Sequence, residues 1–167
     1  MYFSQNLELL RAISTKRHLQ SHIADLPAIS WDDVVSCINE NVCNENQITT
    51  LENFGIVLLD TGPLIKLRSV FRDFCNLNPK VPCSAHLYIS LSSKSKTFGW
   101  HKDTSDVIFW QALGQTLFSV KEGSKIYEYE LLTNDIIYIP AGVKHCTQPL
   151  TPRVGISLGI DYAAIAT

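Results

Sequence analysis

Charge is scarce in this chain. Only 18% of its 167 residues are Asp, Glu, Lys or Arg, below the quarter usual for soluble domains. The 14 basic and 16 acidic residues leave a net charge of −2. That balance carries no electrostatic footprint for nucleic acid or anionic lipid, so neither is expected as a partner. No uninterrupted apolar run approaches the roughly 18 residues of a membrane span. The start, Met1-Tyr2-Phe3-Ser4-Gln5-Asn6, lacks the basic and then apolar regions of a secretory signal. Cys37, Cys43, Cys75, Cys83 and Cys146 form no CxxC pair and no zinc-knuckle spacing. They are expected to be buried thiols of a protein from a reducing compartment, hence a cytoplasmic one. There is no internal repeat and no low-complexity segment.

What is present is apolar content of 46%, which excludes disorder and is enough for a real core in one domain over residues 1–167. The chain changes character at Pro79-Lys80-Val81-Pro82, which divides a flanking segment (1–82) from a β-rich core (83–167). Before it the patterns are mostly helical. Leu7, Leu10, Arg11 and Ser14 begin a helical stretch towards His22. Ser30 caps a second helix, whose first turn holds Asp32 and Asp33 and whose buried face is Val34, Val35 and Ile38. Phe54–Leu59 reads as a buried strand. Pro63 fits the first turn of a third helix through Leu64, Leu67, Val70, Phe71 and Phe74.

After Pro82, short strands alternate with turn signals, which indicates a β-sandwich or barrel. The strands expected are Ala85–Leu91, Thr97–Asp103, Val107–Leu113, Thr116–Lys121, Ile126–Glu130, Ile136–Ile139 and Val154–Ile160. The earlier helices would cover one outer face, and the mouth of so small a barrel can hold one ligand.

His101-Lys102-Asp103 is the sharpest local feature. On a strand, residues i and i+2 project to one face, so both side chains would point into the barrel. Asn134 and Asp135 make the turn feeding the strand 136–139, and Pro140 and Gly142 bend that strand so that His145 re-enters the mouth. Two imidazoles and one carboxylate are the facial triad of non-haem Fe(II) oxygenases, which leaves coordination positions open. Phe98 and Trp100 flank the first ligand, either shielding the metal or packing the core. His18 and His22 have i,i+4 spacing but no HExxH pattern, and read as a solvated helical face. Lys94 and Lys96, in the polar loop Ser92–Lys96, either steer an anion or are simply solvated.

In its second half the chain resembles the JmjC/cupin-type 2-oxoglutarate oxygenases, especially their bacterial ribosomal-oxygenase branch. The resemblance rests on five ordered blocks: Ala85-His86-Leu87-Tyr88; Phe98-Gly99-Trp100-His101-Lys102-Asp103; Asp106 through Phe109, Gln111, Gly114 and Thr116; Asn134-Asp135 through Tyr138, Pro140, Gly142 and His145; and Gly155-Ile156-Ser157-Leu158-Gly159-Ile160. It implies a mainly β fold with flanking helices, a double-stranded β-helix (jelly roll) with an N-terminal helical segment. It also implies Fe(II) held by His101, Asp103 and His145, with 2-oxoglutarate and O₂ as cosubstrates.

One departure matters. Relatives anchor the distal carboxylate of 2-oxoglutarate with a Lys or Arg where this chain has Thr116. A hydroxyl donates one hydrogen bond but cannot neutralise a buried carboxylate. Arg153 is the candidate replacement, because the prolyl-hydroxylase-like branch carries an Arg at a similar distance past its distal His. On the last strand, Arg153, Gly155, Ser157 and Gly159 share one small, polar face; the alternative is a rim Arg on the turn after Pro152. Tyr88, at the family's carboxylate-binding tyrosine position, would donate a second hydrogen bond. His86 replaces the family's Asn, facing either the site or the core.

The leading expectation is an Fe(II)- and 2-oxoglutarate-dependent dioxygenase hydroxylating a protein side chain or a small molecule, with release of succinate and CO₂. Thr116 motivates an alternative, a metal-dependent cupin dioxygenase or isomerase that does not use 2-oxoglutarate. A third reading is a non-catalytic cupin-like binding domain. The relatives' separate dimerisation and winged-helix domains have no room in this length, so a minimal oxygenase core is expected, and a homodimer is compatible with it.

Overall fold

Asn6 opens the first regular element by accepting the Leu9 amide at 3.0 Å, a side-chain N-cap. The structure, a computed structural model, describes residues 1–41, 48–59, 61–62 and 64–161. Helix α1 (Leu7–Thr15) ends at Lys16, whose left-handed backbone (φ 52°) lets its amide bond the Ala12 and Ile13 carbonyls. The helix therefore stops well short of His22. Residues Leu19–His22 instead form strand β1, antiparallel to β8 (Asp135–Ile139) with Leu19 opposite Tyr138. Helix α2 (Trp31–Asn41) begins with the expected cap: Ser30 Oγ accepts the Asp33 amide at 3.2 Å, and the Asp33 carboxylate accepts the Ser30 amide at 2.7 Å. Helix α3 spans Leu67–Cys75 and starts later than expected, because Leu64, Ile65 and Lys66 form a turn closed by the Leu67 amide on the Leu64 carbonyl at 2.9 Å; Pro63 itself lies outside the described residues.

Strands β2 (Ile48–Leu51) and β3 (Gly55–Leu58) flank a short 3₁₀ turn at Glu52–Phe54. Phe54 is therefore not the first residue of a buried strand but 74% exposed. The second half supplies β4 (Cys83–Ser90), β5 (Asp106–Leu113), β6 (Thr116–Glu122), β7 (Lys125–Leu131), β8, β9 (Lys144–Pro149) and β10 (Arg153–Ile160). They assemble into a seven-stranded sheet of order β1-β8-β5-β10-β4-β3-β2 and a three-stranded sheet of order β7-β6-β9. Every pairing is antiparallel. This is the expected mainly β jelly roll with helices on one outer face.

Period-two alternation divides the large sheet cleanly. One face, with Ala85, Leu87, Ile89, Ile108, Trp110, Ile136, Tyr138, Val154, Ile156 and Leu158, packs against Leu9, Val34, Leu67, Val70 and Phe74 of the helices. The other, with Val107, Phe109, Ile137 and Ile139, packs against Phe118, Val120 and Leu131 of the small sheet. The functional residues lie between the sheets, on this second face.

Thr97–Asp103 is not the strand expected from its sequence. Gly99 takes a left-handed conformation (φ 68°) that breaks extended pairing, and only His101 forms a bridge, with His145. The N-terminus is tied down by Asp73, whose carboxylate accepts the Tyr2 and Phe3 amides at 2.7 Å each, the Ser4 amide at 3.4 Å and the Ser4 hydroxyl at 2.7 Å. Cys37 is buried, whereas Cys75, Cys83 and Cys146 are only half-buried, and none of the four is in a disulfide; Cys43 lies outside the described residues. Among those residues no helix is long and apolar enough to cross a membrane.

Candidate metal centre and cosubstrate cavity

The loop that breaks at Gly99 and the strand that starts at Lys144 meet backbone to backbone. The His101 and His145 amides each donate to the other's carbonyl at 2.9 Å. This pair of bonds sets the two imidazoles side by side, with ring centroids 4.3 Å apart. Asp103 closes the group: its carboxylate oxygens lie 3.8 Å from His101 Nε2 and 3.4 Å from His145 Nε2. One donor atom from each of the three residues falls within 4.8 Å of the others, a spacing that a single ion can bridge.

The tautomers suit that use. His101 Nδ1 donates to the Gly99 carbonyl at 2.8 Å, and His145 Nδ1 to the Val143 carbonyl at 3.1 Å. Each ring thus keeps its Nε2 lone pair for a metal and has its orientation fixed by the second nitrogen. Burial pushes the His145 pKa below the ordinary imidazole value, and the neighbouring His101 pushes the same way, against the Val143 carbonyl and Asp103. His145 is therefore neutral, the ligating form, at physiological pH. Phe118 stacks on its ring at 5.5 Å with an interplanar angle of 15°. Two imidazoles and a carboxylate suit a first-row divalent ion such as Fe(II).

From the triad a cavity runs between the sheets, open at its mouth. Its walls include Tyr88, Phe109, Phe118, Thr147, Ser157 and Arg153. Arg153 is only 2% exposed, so it is not on the rim. The guanidinium donates from Nη1 to Thr116 Oγ1 at 3.0 Å, from Nε to Ser90 Oγ at 3.3 Å and from Nη2 to Thr147 Oγ1 at 3.4 Å. It also sits over the Phe109 ring, 5.7 Å from its centroid. All these partners are neutral. Burial pushes its pKa down to about 10, only partly opposed by Tyr88. A buried cation facing neutral hydroxyls is an expensive arrangement unless an anion joins it.

Register explains why the residues converge. On β10, Gly155 stands opposite Tyr88 of β4, and Arg153 opposite Ser90. Tyr88 and Ser90 therefore share the cavity face with Arg153. Gly155 is required there because an added Cβ would fall 2.1 Å from Phe109 Cζ. Burial pushes the Tyr88 hydroxyl up to about 12, with Asp103 adding and Arg153 opposing, so it remains a hydrogen-bond donor. Thr116 is fully buried and meets the cavity through Arg153.

His86 lies on the cavity-side face of β4, alternating with Ala85 and Leu87 of the helix-packed core. Burial lowers its pKa against the pull of Asp103. Phe98 and Trp100 are 53% and 42% exposed, so neither packs in the core, and Phe98 lines the cavity. Phe98 meets both Tyr88 and His101 edge-on at 6.0 Å. Lys96 lines the mouth and pairs with Glu52 at 3.7 Å.

His18 and His22 are not on a solvated helix. His18 Nδ1 lies 2.8 Å from Glu122 Oε1 and its Nε2 lies 2.7 Å from the Tyr129 hydroxyl, while His22 pairs with Asp135 at 2.8 Å. The sequence reasoning missed Ser90, Thr147, Phe109 and Phe118. Ser90 and Thr147 were findable, each lying two residues beyond a singled-out residue on the same strand, Tyr88 and His145.

Fold and site together define a double-stranded β-helix, or jelly roll, carrying a two-histidine, one-carboxylate cluster at its mouth. Among solved structures, the ribosomal oxygenase YcfD of Escherichia coli in complex with cobalt and 2-oxoglutarate superposes with a TM-score of 0.72 at 18% identity, covering 93% of this chain and 52% of that one. The same protein in complex with cobalt and succinic acid gives 0.70 at 18% identity, over 93% and 51%. A prolyl-4-hydroxylase of Pseudomonas putida gives 0.61 at 9% identity, over 92% of this chain and 96% of that one. The chain thus spans about half the length of the ribosomal oxygenase. No family model matches the chain, and no curated protein matches it in sequence.

Proposed function

We propose that this chain is an Fe(II)- and 2-oxoglutarate-dependent dioxygenase that hydroxylates a protein side chain or a small molecule. The observation that carries the reading is the pairing, in one cavity, of the His101–Asp103–His145 cluster with the buried Arg153 guanidinium, which has no anionic partner among the described residues. A metal site alone would suit many cupins; a metal site facing a buried cation suits a metal-chelating dicarboxylate. Thr116, the departure that motivated a reaction without 2-oxoglutarate, here hydrogen-bonds the cation that replaces the missing lysine.

The residues divide the work as follows. His101 and His145, through Nε2, and Asp103, through its carboxylate, hold the metal and leave its remaining positions to the cosubstrates. Bound Fe(II) would supply O₂ activation coupled to oxidative decarboxylation of 2-oxoglutarate, giving succinate, CO₂ and a hydroxylated product. Arg153 takes the distal carboxylate as a charge-assisted pair, oriented by Ser90, Thr116 and Thr147. Tyr88 donates a further hydrogen bond from the opposing strand. Phe109, Phe118 and Val107 keep water from the inner cavity, which strengthens the pair between Arg153 and the carboxylate.

The test is succinate formation by the purified protein with Fe(II), ascorbate and 2-oxoglutarate in air, followed by NMR. Slow uncoupled turnover is expected without substrate, abolished in His145→Ala. Tight metal binding with no succinate and no 2-oxoglutarate binding would overturn the proposal.

A further inference from the structure

Asp106 is 1% exposed and lies three positions beyond the ligand Asp103, at the start of β5. Its carboxylate holds elements distant in sequence. Oδ1 accepts the Ala141 amide at 2.9 Å, while Oδ2 accepts the Tyr138 hydroxyl at 2.8 Å and the Lys16 ammonium at 2.5 Å. Ala141 lies in the turn of Pro140-Ala141-Gly142-Val143, which is closed by a bond from the Val143 amide to the Pro140 carbonyl at 3.2 Å. The far side of this turn touches two of the three metal-site residues. The Gly142 amide donates to the Asp103 carbonyl at 2.9 Å, and the Val143 carbonyl takes the His145 Nδ1 proton at 3.1 Å. Gly142 reaches that geometry through a left-handed backbone, φ 78°.

From this chain of contacts we infer that Asp106 is a positioning residue for the metal site, and that Lys16, at the end of helix α1, acts on metal affinity through it. The inference deepens the proposed function but rests only on its metal site. The buried carboxylate fixes the turn, and the turn fixes both the Asp103 backbone and the His145 ring. Lys16 supplies the opposite charge, which makes an isolated carboxylate tolerable at that depth. Its side chain is 53% exposed, so its replacement leaves the core intact. The N-terminal helix is thereby coupled to a site built by the second half of the chain.

The experiment is Co(II) titration of the metal-free protein, read by its ligand-field absorption and by calorimetry, at a temperature where circular dichroism shows each variant folded. Residues that orient metal ligands typically contribute about 10–100-fold to metal affinity. Asp106→Asn keeps an acceptor for the Ala141 amide but loses the charge; about a 10-fold loss in Co(II) affinity is expected, with an altered absorption band. Lys16→Met should lose a few-fold. The double variant should be no weaker than Asp106→Asn alone, because the inferred route from Lys16 to the metal site runs through that carboxylate. Tyr138→Phe, which removes one bond from Oδ2, should fall between wild type and Asp106→Asn.

Affinities of both single variants within twofold of wild type, with an unchanged band, would overturn the inference. So would additive losses in the double variant, which would separate Lys16 from Asp106. If wild type binds no Co(II), the metal site itself fails, and with it the proposed function. Co(II) binding that depends on Asp106 in a protein that does not bind 2-oxoglutarate would uphold this inference while overturning that function.

Discussion

Replacing Arg153 by Met should move stability and cosubstrate binding in opposite directions. Without an anion, the folded protein holds a buried guanidinium among three hydroxyls. The fall from the ordinary 12.5 to about 10 corresponds to roughly 3 kcal/mol against the charged form. Because the folded value lies below the unfolded one, that penalty is fully present below about pH 10 and is relieved only as pH rises beyond it. Met removes the penalty but also three hydrogen bonds, which at 3.0, 3.3 and 3.4 Å to neutral hydroxyls are weak and at about 0.5 kcal/mol each total about 1–2 kcal/mol net. The ligand-free variant should therefore be more stable than wild type by about 1–2 kcal/mol, or roughly 2–8 °C in Tm for a chain of this size.

With 2-oxoglutarate the order reverses. Two charge-assisted bonds to the distal carboxylate contribute about 3–4 kcal/mol, a few hundredfold in Kd. At a hundred times Kd, wild type gains about 2.7 kcal/mol, and the variant almost nothing. Differential scanning fluorimetry with Mn(II), with and without 2-oxoglutarate, at pH 7 reads both effects. A variant less stable than wild type without ligand, yet equally stabilised by 2-oxoglutarate, would refute the assignment of Arg153.

Gly155→Ala should act on the same wall by crowding, since its Cβ would lie 2.1 Å from Phe109 Cζ. Shifting that ring is expected to destabilise by about 1–3 kcal/mol and to weaken 2-oxoglutarate binding more than Mn(II) binding, as calorimetry can check. Asp73→Asn tests the N-terminal tie. Burial raises the Asp73 pKa, but the Ser4 hydroxyl and the amides of Phe3, Tyr2 and Ser4 outweigh it and leave the group below its ordinary value. Its contribution is present above the ordinary carboxylate pKa and lost as pH falls through the folded one, so urea unfolding should show a shallower acid limb in the variant. A loss of about 1–3 kcal/mol at neutral pH is expected; an unchanged pH profile would count against the tie.

Where the sequence was legible, local chemistry and tertiary packing agreed. The β5, β6, β8 and β10 strands are short, largely buried apolar runs bounded by turn signals that declare them, and they lie within a residue or so of expectation. The convergence of His101, Asp103 and His145 was readable because three ligand-type side chains sit beside Gly and Pro turns that re-aim the chain. β1 was not readable: Leu19–His22 is extended only because its edge pairs with β8, a partner more than a hundred residues away. β9 was missed because Lys144–Pro149 lacks apolar alternation and is held by pairing with β6. Gly99 marks the opposite error, in which a run that reads as a strand is bent by one left-handed residue. The ties from Asp73 to the N-terminus and from Asp106 to Lys16 join residues 70 and 90 positions apart, and no local pattern announces them.

If the His101–Asp103–His145 cluster and Arg153 form one dicarboxylate site, metal and 2-oxoglutarate must bind together. Calorimetric titration of 2-oxoglutarate into the protein, with and without Mn(II), tests it most directly. Micromolar-range binding is expected that needs Mn(II), disappears in His145→Ala and weakens a few hundredfold in Arg153→Met. Tight Mn(II) binding with no uptake of 2-oxoglutarate, or uptake indifferent to Arg153, would contradict it.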